Sequence, residues 1–262
     1  DPRHEGQDFL FLRHFSHGCR QVFSGQRWAL TGEAGVFLDP FYSPGSDFIA
    51  ISNTYIAELV RLDFAGEPIG LHADLFQQLY FSFYRNTLTL YQDQYPVFGH
   101  PEVMPAKVLW DYAYYWSLLA PLFFSGRLTR LPVLGRLRPY FDEGRSLNLA
   151  MQALLRDWGL RDAAPRLDAA RAYDQYAVDW CRRMNAGLTE RLDDDAYLER
   201  TARDVACMRQ LACEVLALAR SRVPDLDDHG LDALLAGHDP AAHPSALPAQ
   251  WFSRAAEEQA PA

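Results

Sequence analysis

The sequence predicts a mainly α-helical protein that opens with a short mixed α/β part. Apolar residues recur every three or four positions from Ser46 onwards, which is the spacing of one face of a helix. Beyond residue 64, no segment has the alternation and β-branched content that are typical of a strand. The 262 residues are 49% hydrophobic, so the chain can bury the core of one large domain or of two smaller ones.

Two segments near the beginning have the aromatic and apolar content of strands. They are DFLFLRHF at 8–15 and RWALTGEA at 27–34, and the Gly- and Ser-containing segment SHGCRQVFSGQ separates them. We expect them to form a strand pair or a sheet edge whose other strands are not in this chain.

The first helix is predicted to begin at Ser46 and to end near Gly66 and Pro68, because both residues interrupt helices. Its apolar face contains Phe48, Ile51, Tyr55, Leu59 and Leu62. Further helices are predicted at 70–93, 104–126, 143–158, 167–187 and 193–222.

These patterns predict three parts of the chain. Residues 1–64 form the first part, residues 65–223 an α-helical domain, and residues 224–262 a loosely structured tail that is rich in Pro, Asp, His and Ala. The chain does not begin with Met, and we expect it to be the later portion of a longer protein that ends in a natural C-terminus.

Charge and cysteine usage exclude some classes of function. The net charge is −9, whereas nucleic-acid-binding proteins usually have a clustered basic face, so no DNA or RNA partner is expected. The four cysteines form no CxxC pair, which favours reduced thiols and a cytoplasmic location. The longest apolar run, 108–124, contains Asp111 and Pro121, so a core helix is favoured over membrane contact.

The stretch GEAGVFLDPFYSPGSDF, residues 32–48, contains the strongest functional signal. Gly32 to Gly35 place small residues and one acid after a predicted strand, where a bulky group could approach the backbone. The next turn leads directly into a helix, whose free N–H groups and positive dipole end attract negative charge. A simpler interpretation is a loop that only connects a strand to a helix, because short glycine motifs also occur by chance.

This stretch resembles the C-terminal part of the FAD domain of flavin-dependent halogenases and related flavin monooxygenases, over about residues 8–62. Phe37, Pro40, Ser43 and Gly45 match the pattern F-x-x-P-x-x-S-x-G of that group, and Gly32-Glu33-Ala34 is similar to its G-D-A flavin motif. The resemblance implies a mainly α protein in which the C-terminal remnant of an α/β FAD-binding domain, a few strands plus one helix, precedes an α-helical domain.

The same resemblance implies FAD as cofactor. The implied cofactor-binding residues are Gly32, Glu33, Ala34, Phe37, Asp39, Pro40, Ser43, Pro44, Gly45 and Ser46. The implied function is that of an oxidoreductase which uses reduced flavin and oxygen on an aromatic or carrier-bound substrate, with a separate flavin reductase as partner.

Two residues depart from the pattern of the halogenases. Pro44 has no N–H to offer to a halide, and Tyr42 stands where the tryptophan-type members have an acid. A hydroxylase or monooxygenase therefore remains an alternative. A helical binding module with a vestigial flavin loop is a further alternative.

Three motifs of the family are absent from this chain: the nucleotide-binding G-x-G-x-x-G, the W-x-W-x-I-P segment and the catalytic lysine. Lys107 is the single lysine, and its context does not match the catalytic lysine of the family, so the catalytic residues stay unknown. We expect the chain alone to be inactive.

Other side chains have alternative interpretations. The aromatic residues of 70–93 and 104–126 are typical of a core, although they could form a wall that stacks a substrate ring. His14, His17 and His100 are more typical of loops than of general bases. The acidic and His-containing segments 225–230 and 238–243 lack metal-site spacing, so no metal is expected. Arg136, Arg138 and Arg145 could dock a carrier protein.

Overall fold

The computed structural model describes residues 13–162 and 173–252, and within them the protein is mainly helical, as predicted. The chain divides into two compact units, Asp1–Arg85 and Asn86–Ala262, which we call the N-terminal unit and the helical unit. The predicted division at residues 64 and 223 stays a prediction.

A short antiparallel hairpin opens the N-terminal unit. Strand β1 is Phe23–Ser24 and strand β2 is Trp28–Ala29, with Phe23 opposite Ala29. The predicted strand at 27–34 was therefore too long, and β1 lies in the Gly- and Ser-containing segment between the two predicted strands. Of the predicted strand at 8–15, residues 8–12 lie outside the described residues and 13–15 are not in a strand.

Two helices complete the N-terminal unit, α1 at Pro44–Phe64 and α2 at Gly70–Leu88. Pro44 begins α1 because its fixed φ suits the first helical position. The helix ends where Gly66 adopts a φ of 77° and Glu67 N–H bonds to the carbonyl of Leu62. The predicted apolar face of α1 is buried, which confirms it.

The aromatic residues of α2 form the core of this unit rather than an open wall. Phe76 and Tyr80 are at most 1% exposed. The ring of Phe76 stacks on Tyr55 at 4.7 Å, and the ring of Tyr80 meets Phe23 at 5.7 Å and Phe48 at 5.9 Å. The core interpretation is thereby confirmed for these rings.

The helical unit contains seven further α-helices in the described residues. They are α3 at Val103–Tyr114, α4 at Ala120–Phe124, α5 at Leu131–Arg161, α6 at Asp179–Ala186, α7 at Asp194–Arg222, α8 at Leu231–Leu234 and α9 at Ala249–Phe252. Helices α3, α5 and α7 supply most of its core, which includes Trp110, Trp158 and Met208.

Three predicted helices differ from the structure. The one at 104–126 is interrupted by a π-helical turn, Tyr115–Leu119, just before Pro121, which cannot donate a helical hydrogen bond. The one at 143–158 begins earlier, at Leu131, and ends at Arg161. Of the one at 167–187, residues 167–172 lie outside the described part, and only Asp179–Ala186 is α-helical in the rest.

The tail that was expected to be loosely packed joins the core in its described part, 224–252. Leu231, Trp251 and Phe252 are at most 8% exposed and belong to the core cluster of the helical unit. The carboxylate of Glu214 on α7 accepts backbone N–H bonds from Ala246, at 3.0 Å. The content of proline and acidic residues did not predict this packing, because it depends on a few large apolar residues that are buried in the core.

A buried polar network connects α3 and α5. The only lysine, Lys107, is fully buried, and its Nζ lies 2.9 Å from Asp111 Oδ2 and 2.7 Å from Gln152 Oε1. Gln152 Nε2 also donates to Asp111 Oδ1 at 2.7 Å, and Trp110 Nε1 donates to Asn148 Oδ1 at 2.9 Å. A buried charge is tolerated only with such partners, so these contacts fix the pairing of the two helices.

The cysteines are free thiols in the structure. Burial raises the pKa of the Cys181 and Cys207 thiols to about 12, which disfavours the reactive thiolate. Within the described segments, no helix is both long enough and apolar enough to cross a membrane.

Close packing on α5 can be tested with two glycine substitutions on the same helix. A methyl group at Gly159 would lie 2.6 Å from Val97 Cγ1, whereas one at Gly135 meets nothing within 4 Å. Gly159→Ala should lower the free energy of unfolding by about 1–3 kcal/mol. Gly135→Ala should raise it by about 0.5–1 kcal/mol, because alanine favours helix. Urea denaturation followed by circular dichroism measures both; equal effects would contradict this packing.

Candidate functional site

The candidate site begins where β2 leads into a single 3-10 turn, Gly32–Ala34. Thr31 is extended, and Gly32 then takes a φ of 51°, in the left-handed region that favours glycine. A methyl group at Gly32 would also clash with Ile49 Cγ1. The turn therefore requires glycine for two reasons, its backbone angle and the nearness of α1.

A buried serine fixes this turn to α1. Ser52 is fully buried, and its hydroxyl accepts the N–H of Gly32 at 3.1 Å and donates to the carbonyl of Phe48 at 2.6 Å. Thr31 Oγ1 lies 2.8 Å from the same hydroxyl and donates to Asn53 Oδ1 at 2.7 Å. These contacts hold the end of the hairpin against the side of the helix.

The following loop returns to the chain before the hairpin. Phe37 exchanges both backbone hydrogen bonds with His17, each at 2.9 Å. Asp39 Oδ1 accepts the N–H of Phe41 at 2.8 Å, and Ser43 N–H donates to the carbonyl of Pro40 at 2.9 Å. The predicted residues Asp39 and Pro40 therefore shape this loop.

Two successive non-glycine residues have a strained backbone before α1. Tyr42 has a φ of 65° and Ser43 a φ of 54°. Left-handed conformations of residues other than glycine cost about 1–3 kcal/mol each and cluster at functional sites. After these two residues the chain enters α1, whose first turn contains Pro44 and Gly45.

The first turn of α1 lies next to the acid of the 3-10 turn. A methyl group at Gly45 would lie 3.1 Å from Glu33 Oε1, so the exposed carboxylate of Glu33 reaches the beginning of the helix. Pro44 has no N–H, and Ser46 N–H bonds to the carbonyl of Ser43 at 3.3 Å. Among Pro44, Gly45 and Ser46, it is therefore Gly45 whose N–H can donate a hydrogen bond to a ligand.

The structure brings together some of the predicted site residues. Glu33 Oε1 lies close to Gly45, and Gly32 precedes Glu33 in the 3-10 turn. Phe37 instead lies beside His17 and Phe15, with the Phe15 and Phe37 ring centroids 5.0 Å apart. Of the remaining predicted residues, Ala34 ends the 3-10 turn, Pro44 and Ser46 lie in the first turn of α1, and the loop between them contains Asp39, Pro40 and Ser43.

Sequence reasoning missed the residues that support the site. Ser52 and Thr31 were not singled out, although Ser52 is a polar residue on the apolar face of α1, between Ile51 and Tyr55. A buried serine on such a face indicates a hydrogen bond to another part of the chain. That signal could have identified Ser52.

His100 lies in the helical unit and is buried. Its Nδ1 accepts the N–H groups of Glu102 and Val103 at 3.2 and 3.1 Å, so it caps the beginning of α3. Its Nε2 lies 3.7 Å from Asp162 Oδ2, a partner that the sequence could not supply. These contacts give His100 a structural role.

The acidic segment at 225–230 also has local structural roles. Asp227 and Asp228 accept backbone N–H bonds from His229 and Gly230 at 2.7 and 2.8 Å. In the segments that the structure describes, no three His, Cys, Asp or Glu side chains are grouped so as to hold a metal ion.

The basic residues considered for carrier docking are partly paired within the helical unit. Arg136 lies 2.5 Å from Asp195, and Arg138 lies 3.5 Å from Asp142. All four side chains are more than half exposed, so these pairs add little stability.

Comparison with known proteins gives one partial similarity. Over 120 residues, the chain is 24% identical to the flavin-dependent halogenase chlA of Dictyostelium discoideum. The match covers 45% of this chain and 20% of that protein. No family model matches the sequence, and no solved structure matches it.

The two reasons for glycine at position 32 can be separated experimentally. Gly66 also has a positive φ, but a methyl group there meets nothing within 4 Å. Gly66→Ala should cost about 1–2 kcal/mol from backbone strain alone. Gly32→Ala should cost about 1–3 kcal/mol more, because Ile49 must move. Urea denaturation measures the difference; equal costs would show that Ile49 does not confine the turn.

Proposed function

We propose that this chain is part of a flavin-dependent oxidoreductase and that residues of the segment 32–46 contact FAD. The observation that carries the proposal is the convergence of Glu33 and Gly45 across a glycine turn, at the beginning of α1. An exposed carboxylate beside the positive end of a helix suits a ligand that has both hydroxyl groups and a negative charge.

The partial similarity to a flavin-dependent halogenase supports the same conclusion. The chain spans about a fifth of the length of that relative, so the activity of a whole enzyme is a proposal here. The fold supports it to the extent that a short hairpin and two helices, α1 and α2, come before the helices of the helical unit in the chain.

The residues of the site have distinct proposed roles. Glu33 would accept hydrogen bonds from hydroxyl groups of the cofactor. Gly45 would donate its N–H to a negatively charged edge, and its lack of a side chain leaves room for the cofactor beside the helix. FAD, when bound, supplies the redox chemistry, and the protein supplies placement.

Halogenation and hydroxylation are the two candidate reactions. Pro44 favours hydroxylation, because the first turn of α1 has one N–H fewer to offer to a halide. The proposed substrate is aromatic or carrier-bound, with a separate flavin reductase, and the cytoplasmic location remains a prediction.

Bromide distinguishes the two reactions in the full-length protein. With reduced flavin, oxygen and a panel of phenols, hydroxylation should add one oxygen to the product mass whether or not bromide is present. A product that gains bromine only when bromide is added would establish halogenation instead. Mass spectrometry of the products is the measurement.

FAD binding tests the proposal directly. Titration of this chain with FAD, followed by flavin fluorescence, should show saturable binding. Glu33→Gln should weaken it about tenfold, because a charged acceptor is lost. Glu33→Asp should retain part of it.

Glu58→Gln is the matched control, since Glu58 is an acid on α1 that pairs with Arg61. It should leave the affinity unchanged. No FAD binding by the unaltered chain or by the full-length protein would contradict the proposal and favour the helical binding module.

A further inference from the structure

His17 has more contacts with the candidate site than its position before the hairpin suggests. Its backbone exchanges two hydrogen bonds with Phe37. Its ring nitrogen Nε2 lies 3.0 Å from the carbonyl oxygen of Glu33, and Nδ1 lies 2.9 Å from the carbonyl oxygen of Phe15. The ring packs against Phe15 and Phe37, with centroids 5.5 and 6.4 Å away.

Both ring nitrogens of His17 therefore face an oxygen that can only accept. A neutral imidazole has one N–H, so one of the two contacts would set a lone pair against a carbonyl oxygen. The imidazolium form has an N–H on each nitrogen and satisfies both carbonyls. The geometry is thus complete in the doubly protonated form.

We propose that His17, in this doubly protonated form, is a positioning residue that fixes Glu33 in the candidate site. By holding the carbonyl of Glu33, the ring sets the 3-10 turn from which the carboxylate reaches Gly45. The effect on cofactor binding rests on the proposed function, whereas the hydrogen bonding of His17 does not.

Among the described residues, the ionisable side chains near His17 in the sequence are Arg13, His14 and Cys19 on its own segment and Glu33 on the contacted turn; Asp39 follows on the loop beyond Phe37. The positive charge of the protonated ring and the negative charge of the Glu33 carboxylate attract each other. Loss of a ring proton at higher pH removes one of the two hydrogen bonds.

Hydrogen exchange of the chain without cofactor is the test. Exchange of peptides covering 13–18 and 33–38 is measured by mass spectrometry from about pH 5 to about pH 8.5. After correction for intrinsic exchange, protection should be high at low pH. It should fall about three- to tenfold as the pH rises, because one hydrogen bond is lost.

Two variants separate the hydrogen bonds from the packing of the ring. His17→Phe keeps an aromatic ring beside Phe15 and Phe37 but has no ring nitrogen, so its protection should be low at every pH. His14→Asn is the control: His14 has a φ of 54°, which Asn tolerates, and the pH profile should match that of the unaltered chain.

A flat pH profile of the unaltered chain would overturn the proposal, and so would undiminished protection in His17→Phe. If His17→Phe fails to fold, the profiles of the unaltered chain and of His14→Asn decide the question. FAD titration of His17→Phe should show binding weakened at least fivefold at about pH 5, which is the loss expected for about one hydrogen bond. Absence of FAD binding in the unaltered chain would count against the proposed function and leave the exchange result standing.

Discussion

The hydroxyl of Ser52 is the contact on which the candidate site depends. It is buried in α1 and accepts the N–H of Gly32, so the turn after the hairpin has one position relative to the helix. Because a buried hydroxyl or N–H without a partner costs about 1–3 kcal/mol, the two groups hold one another in place. Glu33 is the next residue after Gly32, and its carboxylate therefore reaches the first turn of α1.

The contacts around this turn come from three separate parts of the chain. Ser52 fixes its beginning from the helix, and His17 holds the carbonyl of Glu33 from the segment before the hairpin. The strained Tyr42 and Ser43 then redirect the loop into α1. Strain of this kind persists only where the surroundings enforce it, and the contacts of Ser52 and His17 are part of those surroundings.

The helical unit shows the same dependence on buried polar partners. Lys107 is the only lysine in the chain, and it is buried between α3 and α5 with Asp111 and Gln152 as partners. Its burial with these partners gives it a structural role. The arginines supply the exposed positive charge of the molecule instead.

The sequence by itself determined the helical class, the apolar face of α1 and the glycine turn before it, because helix periodicity and glycine requirements are local properties of the chain. It misjudged the strand bounds, the π-helical interruption before Pro121 and the packing of residues 224–252. Only the tertiary structure decided that Glu33 meets Gly45, that Ser52 holds Gly32 and that both nitrogens of His17 face carbonyl oxygens. The contacts of Glu33 with Gly45, of Ser52 with Gly32 and of His17 with Glu33 join residues 12 to 20 positions apart. No local pattern encodes such pairings.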